Sequence, residues 1–157
     1  MIRIGVVSDS HGALALFEKA VNEMGNVHAI VHLGDCAHDA YSVSKALGRK
    51  IITLNGNCDF MSYEPVSRIL EMGGKRFFLT HGHKEHVKMG LTRLGYRAEA
   101  EGVDCALYGH THIPGSVMFG SVLLINPGAM KDGNYCVIAI EDGIMTPEFR
   151  HISIKNS

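Results

Sequence analysis

Five apolar runs in this chain end in the same way, and that recurrence constrains the fold more than any other feature. "RIGVVS" leads into Asp9-Ser10-His11, "AIVHLG" into Asp35, and "IITLNG" into Asn57. "RFFLT" leads into His81, and "CALYG" into His110-Thr111-His112. Each run has the length and residue types of a buried strand. Each stops at a side chain that can bind a metal, usually beside a glycine. In open α/β sheets ligands collect at the carboxyl ends of the strands. If these strands are neighbours, Asp9, His11, Asp35, Asn57, His81, His110 and His112 converge on one rim.

The segments between the runs support such a sheet. "ALALFEKAVNEMG" has apolar residues at helical spacing and closes on Gly25, and "DAYSVSKALG" closes on Gly48. Strands alternating with helices in the first half argue for parallel pairing through right-handed crossovers. Beyond residue 64 the pattern changes. "RILEMGGKRFFLTHGH" predicts two strands joined at Gly73-Gly74, and "HVKMGLTRLGYRAEAEG" one longer helix despite Gly90 and Gly95. The tail, "GSVMFGSVLLINPG" then "YCVIAIEDGIMTPEFRHISI", predicts successive antiparallel strands. No linker, repeat or low-complexity segment interrupts the chain, so one α/β domain spanning 1–157 is expected.

Composition narrows the function classes. With 46% hydrophobic and 20% charged residues, the 157-residue chain reads as an ordinary globular protein with a buried core. Fifteen basic residues against sixteen acidic ones leave no electrostatic footprint for nucleic acid or a membrane surface. No apolar run approaches membrane-spanning length, and the N-terminus is too briefly apolar for a signal peptide, so a cytoplasmic location is expected. Cys36, Cys58, Cys105 and Cys136 form no C-x-x-C pair, and Cys105 and Cys136 sit in apolar runs as core thiols.

Taken singly the motifs are weak. Asp-x-His after a strand is ordinary cap chemistry, and Gly-Asp and "GNCD" are ordinary turns. "GHTH" is stronger, because packing does not explain two histidines at i, i+2 beyond a buried strand. Together, four imidazoles, two carboxylates and one amide exceed the needs of one ion and suit two, with a carboxylate shared between them. Two divalent ions roughly 3.5–4 Å apart can clamp the attacking and leaving oxygens of a phosphoryl displacement. The mixed nitrogen and oxygen donors suit manganese first, and also nickel, iron or zinc.

The motifs "DSH", "GD", "GNCD", "THGH" and "GHTH", in this order, resemble those of the calcineurin-like metallophosphoesterases, and most closely the small phosphodiesterases of the YfcE type. The resemblance spans essentially the whole chain. It implies a four-layer α-β-β-α sandwich, with two sheets inside and helices outside. It further implies that Asp9, His11, Asp35 and His112 hold one ion and that Asp35, Asn57, His81 and His110 hold the other. Asp35 would bridge the two, and a metal-bridging hydroxide would attack a small phosphodiester in line, with no covalent phospho-enzyme. Asp35 and Asn57 thus take part in catalysis through the metals, while Cys58 and His83 are expected on the substrate side. Larger relatives carry histidine where Cys58 stands; a thiol is a poorer proton donor, which points toward diesters or good leaving groups. "NPGA" ends in Ala129 where the subgroup usually has serine.

His83 suits either the site or a solvated loop. Lys84 and Lys88 suit either phosphate or an exposed helix face. His32 reads as a hydrogen-bonded core residue. Two rival functions remain. The fold also resembles a retromer subunit that binds other proteins, although that subunit has lost metal-site residues and all seven positions here keep theirs. A redox role for Cys58 finds no nearby second cysteine and no basic cluster. Natural substrate, metal in the cell and assembly stay open, with a homo-oligomer compatible.

Overall fold

In the computed structural model, which describes residues 1–153, the period-2 pattern of the apolar runs divides each strand between two cores. The first sheet has the order β10-β9-β1-β2-β3. Its strands are β1 (Ile2–Val7), β2 (Ala29–His32), β3 (Ile52–Thr53), β9 (Asn134–Glu141) and β10 (Ile144–His151). The second sheet has the order β4-β5-β6-β8-β7. It is built from β4 (Ser67–Met72), β5 (Lys75–Thr80), β6 (Cys105–Leu107), β7 (Gly115–Phe119) and β8 (Val122–Asn126).

One face of each sheet turns inward. Ile4, Val6, Val31, Leu33, Phe77, Leu79, Leu107 and Ile138 belong to a core between the sheets. The alternate residues face outward, where α1 (Leu14–Met24) and α2 (Ala37–Leu47) cover the first sheet. On the second sheet, Phe78, Ala106 and Leu124 pack against Leu94 and Ala98 of α3 (Thr92–Glu101). The result is the expected α-β-β-α sandwich. Both faces of the central strands are buried, which is why they read as nearly continuous apolar runs. Fully burying one such Val, Leu, Ile or Phe contributes about 1.5–3 kcal/mol. Cys105 and Cys136 lie in the inner core as expected, where burial pushes the Cys136 thiol up to about 12 and raises that of Cys105 as well.

The crossovers place the site. β1 pairs in parallel with β2, and β2 with β3. In the second sheet β5 pairs in parallel with β6. The carboxyl ends of all five strands singled out in the sequence therefore open onto one edge of the sandwich.

Two expectations needed correction. The segment 86–102 is not one helix. A 3-10 turn at Val87–Met89 ends at Gly90, whose φ of 131° leaves helical space, and α3 begins only at Thr92. The tail is not one run of antiparallel strands either. β7–β8 and β9–β10 are each antiparallel pairs, but they lie in different sheets, and β8 runs parallel to β6. The "NPGA" turn and the 3-10 turn Met130–Asp132 carry the chain across, with Met130 N–H donating to the Ser8 carbonyl at 2.7 Å. Ile154, the end of the predicted last strand, lies outside the described residues. Among the described residues no helix is long and apolar enough to cross a membrane.

Candidate metal centre

The loops leaving these strands are held in a backbone conformation that few side chains adopt. Asp9, His11, Asp35, His110 and His112 have φ of 51°, 42°, 48°, 70° and 66°. Such left-handed positions cost a non-glycine residue on the order of 1–2 kcal/mol, and they cluster where function over-determines the backbone. Hydrogen bonds across the two chain segments secure them. Asp9 N–H donates to the Gly34 carbonyl at 2.9 Å, and His11 N–H to the Asp35 carbonyl at 3.2 Å.

Both carboxylates are buried, and each is divided in function between its two oxygens. Asp9 Oδ2 accepts hydrogen bonds from the Ser8 hydroxyl and from His110 N–H at 3.0 Å. Its Oδ1 faces imidazoles, 3.1 Å from His112 Nε2 and 3.7 Å from both His11 Nε2 and His81 Nε2. Asp35 repeats the plan. Oδ1 accepts from Cys58 N–H at 2.9 Å, while Oδ2 lies 3.3 Å from His81 Nε2 and 3.8 Å from His11 Nε2. One oxygen anchors and the other points at nitrogen donors.

Two groups result that could each hold a metal ion, Asp9–His11–His112 and Asp35–His81–His110, with the donor atoms within each group no more than 4.8 Å apart. They adjoin, because each carboxylate reaches histidines of both. The donor chemistry fits divalent ions. His81 Nδ1 lies 2.8 Å from the Leu33 carbonyl, and donating its proton there leaves Nε2 as a lone pair beside His110 Nδ1 at 3.2 Å. Burial disfavours the charged His81, but its bond to Asp35 and the charges of Asp9 and Asp35 outweigh this and raise its pKa. For Asp35 burial is likewise outweighed, here by the His81 bond and charge, and its carboxyl falls well below the usual range. Burial and the neighbouring His81 hold His110 down at about 4, so that imidazole is neutral and free to donate a lone pair at pH 7.

The glycines beside the motifs have a steric role. A Cβ on Gly56 would sit 2.1 Å from Asp35 Oδ1, and one on Gly109 would sit 2.0 Å from Ser8 Oγ and 2.6 Å from Asp9 Oδ2. The anchoring oxygens occupy the space that any other residue would fill.

The "GNCD" loop divides its labour. Asp59 joins the strand ends, its Oδ2 accepting from Asp35 N–H at 2.9 Å and Gly56 N–H at 2.8 Å, and its Oδ1 from Ala37 N–H at 2.7 Å. Asn57 is exposed, with its side-chain Nδ2 3.6 Å from Cys58 Sγ, so this contact commits Nδ2 and not Oδ1. The loop lies against Asp35 through Cys58 N–H. Partial burial and the Asp35 carboxylate raise the Cys58 thiol, against a thiolate nucleophile. His83 is half-buried, its ring centroid 5.5 Å from that of His81 and 6.3 Å from that of His110. Its Nδ1 is buried without a hydrogen-bond partner among the described residues. Burial and the charges of His81 and Lys84 lower its pKa.

Some supporting residues were not singled out in the sequence. Asn126, at the end of β8, donates through Nδ2 to Thr111 Oγ1 at 2.9 Å and so holds the "GHTH" loop. It is a sixth strand end that stops at a polar residue, and that pattern was available to find it. Beneath the site, His32 is the expected core residue. Its Nε2 lies 3.0 Å from Ser10 Oγ and its Nδ1 3.0 Å from Thr53 Oγ1.

Known proteins similar to this chain carry phosphoesterase names. The chain is 30% identical to the probable metallophosphoesterase YsnB of Bacillus subtilis, over 92% of this chain and 88% of that protein. It is 29% identical to the phosphodiesterase YfcE of Escherichia coli, over 85% and 84%. A solved structure of a predicted phosphoesterase from Streptococcus pneumoniae superposes with a TM-score of 0.82 at 28% identity, covering 96% of this chain and 89% of that one. Vps29 of Entamoeba histolytica, solved with zinc, shares the fold at 18% identity and a TM-score of 0.76, over 96% of this chain and 99% of its own. Residues 2–143 match the calcineurin-like phosphoesterase superfamily domain, and the chain belongs to that family.

Proposed function

We propose that the protein is a dinuclear metal-dependent phosphodiesterase acting on a small phosphodiester. The observation that carries this reading is the pair of adjoining donor groups, Asp9–His11–His112 and Asp35–His81–His110, each built on a carboxylate with one anchored oxygen. In this reading Asp35 is shared between the ions, and Asn57 adds an amide oxygen to the side of His81 and His110. Divalent ions bound there, manganese first, supply Lewis-acid polarisation of the phosphoryl group and activation of water.

The chain's own residues do the rest. Asp59 and Cys58 N–H hold Asp35 in register. The Leu33 carbonyl keeps the His81 proton on Nδ1. His83, whose ring neighbours those of His81 and His110, would line the substrate side of the centre. Cys58, where larger relatives carry histidine, donates a proton poorly, which favours diesters over monoesters. The relative named a phosphodiesterase supports the same preference.

The test is metal-stripped protein refilled with manganese, nickel, zinc or magnesium and assayed on a panel of diesters and monoesters. Restored diester hydrolysis with a lower monoester rate is expected. Hydrolysis with none of the metals would overturn the reading and move weight to a protein-binding scaffold, the alternative suggested by the Vps29 fold.

A further inference from the structure

Beside the histidines of the second sheet the surface opens into a groove of about 680 Å³, within the span of roughly 300–1,000 Å³ typical of small-molecule sites. It adjoins the loop that carries two of the candidate metal ligands. Thr111, between His110 and His112, lines it, as do Ile113 and Pro114 just beyond. Val87, Leu91 and Val117 add further apolar wall. Ile113 is 69% exposed and Val117 48%. Part of the groove's apolar wall is therefore open to solvent.

Two polar groups give the groove direction. Thr111 Oγ1 accepts from Asn126 Nδ2 at 2.9 Å and from Ile113 N–H at 3.2 Å. Both lone pairs are then used, and its own hydrogen is left to donate to a ligand. Lys88 also lines the groove, with an exposed side chain.

We propose that this groove seats an apolar, ring-bearing ester arm of the substrate, with Lys88 at its mouth facing the anionic phosphoryl group; this rests on the phosphodiesterase reading above. Ile113, Pro114 and Leu91 bury the ring, and the Thr111 hydroxyl donates to an acceptor on it. The substrate class is accordingly aryl or nucleoside-like phosphodiesters, in preference to diesters with short alkyl arms. Monoester ligands report the groove independently of which arm leaves.

Methyl, phenyl and naphthyl phosphate are titrated into manganese-loaded protein by calorimetry, and hydrolysis of bis(p-nitrophenyl) phosphate is measured on the same preparation. Naphthyl phosphate should bind at least about tenfold more tightly than methyl phosphate, as burial of apolar ring area requires. Val117→Asp, at an exposed position, should bring that ratio to within about twofold, and Ile113→Asp provides the same reading should the first variant fold poorly. Lys88→Gln should weaken all three ligands by a similar factor, because it addresses the phosphoryl group and not the ring. Equal binding of the three ligands, or a preference that survives both aspartate variants, overturns the groove assignment. Hydrolysis without ring preference discards the groove and leaves the phosphodiesterase reading standing. Ring preference without hydrolysis of any diester discards the phosphodiesterase reading and retains the groove as an aryl-phosphate site.

Discussion

The first sheet brings both carboxylates to the site, and the second brings His81, His110 and His112, and the two sets are held differently. Asp9 and Asp35 are 0% and 3% exposed, and each has one oxygen committed to protein donors. Of the second sheet's histidines only His81 is fully buried, bonded through Nδ1 to the Leu33 carbonyl of the opposite layer. His110 and His112 are half-buried. A buried carboxylate needs fixed donors because unpaired charge in a low dielectric is costly, whereas a half-buried imidazole still reaches water. The difference teaches where the fixed bonds fall: the acidic side chains are anchored through their own oxygens, whereas the loop of His110 and His112 is anchored through His110 N–H on Asp9 and Thr111 on Asn126.

The sharpest attempt to break that comparison is Asp35→Asn beside Asp9→Asn. Asp35→Asn should lower diester hydrolysis by about 10³-fold or more and lose both equivalents of manganese, while Asp9→Asn should lose one, in keeping with the large share of catalysis that metal ions carry. Elemental analysis of the two variants after reconstitution decides it, and equal stoichiometry in both would remove Asp35 as the bridge.

A second prediction concerns the polar layer under the acidic loops. Burial holds His32 down at about 4, against the pull of Asp59, Asp39 and Asp9. The unfolded chain, near 6.5, takes up this proton first in acid, so native stability should fall as pH drops from about 6.5 to about 4 and be flat above. The loss attached to His32 is on the order of 3 kcal/mol at the acid end. Urea midpoints of metal-free protein across that range should show a shallower acid limb in His32→Asn; parallel limbs would show that His32 titrates as it does unfolded.

Asp59→Ala tests whether the acidic loops are pre-built by their donors. It removes the acceptor of Asp35, Gly56 and Ala37 N–H together, and should cost about 2 kcal/mol along with weaker metal binding. A change in stability alone, with metal affinity intact, would mean that the loop holds Asp35 without it. The smallest effect is expected for Cys58→Ser, with diester hydrolysis within about threefold of the parent, since serine keeps the backbone N–H that bonds Asp35. Complete loss with metals bound would instead indicate a thiol nucleophile.

Particular residues mark how far the sequence could be read. The strand ends were legible because strand propensity and residue type coincide there: "RIGVVS" must stop somewhere, and it stops at Asp9. Gly90 was not legible as a helix break, because the apolar spacing of 86–102 continues across it while φ turns to 131°. The split of β8 from β9 was hidden for a related reason. Both strands are buried on both faces, so neither alternation nor polarity indicates which sheet receives them.

What the sequence by itself determined is the set of candidate donors and their placement at the ends of strands, since side-chain chemistry and period-2 burial are local properties. Tertiary structure alone decided which oxygen of each carboxylate is anchored, which faces an imidazole, and that five of the seven residues sit at positive φ. The physical reason is range. His112 Nε2 and Asp9 Oδ1 lie 3.1 Å apart across a sequence separation of 103, and no local preference acts over that length. Only the packing of one sheet on the other brings the carboxylates and imidazoles together.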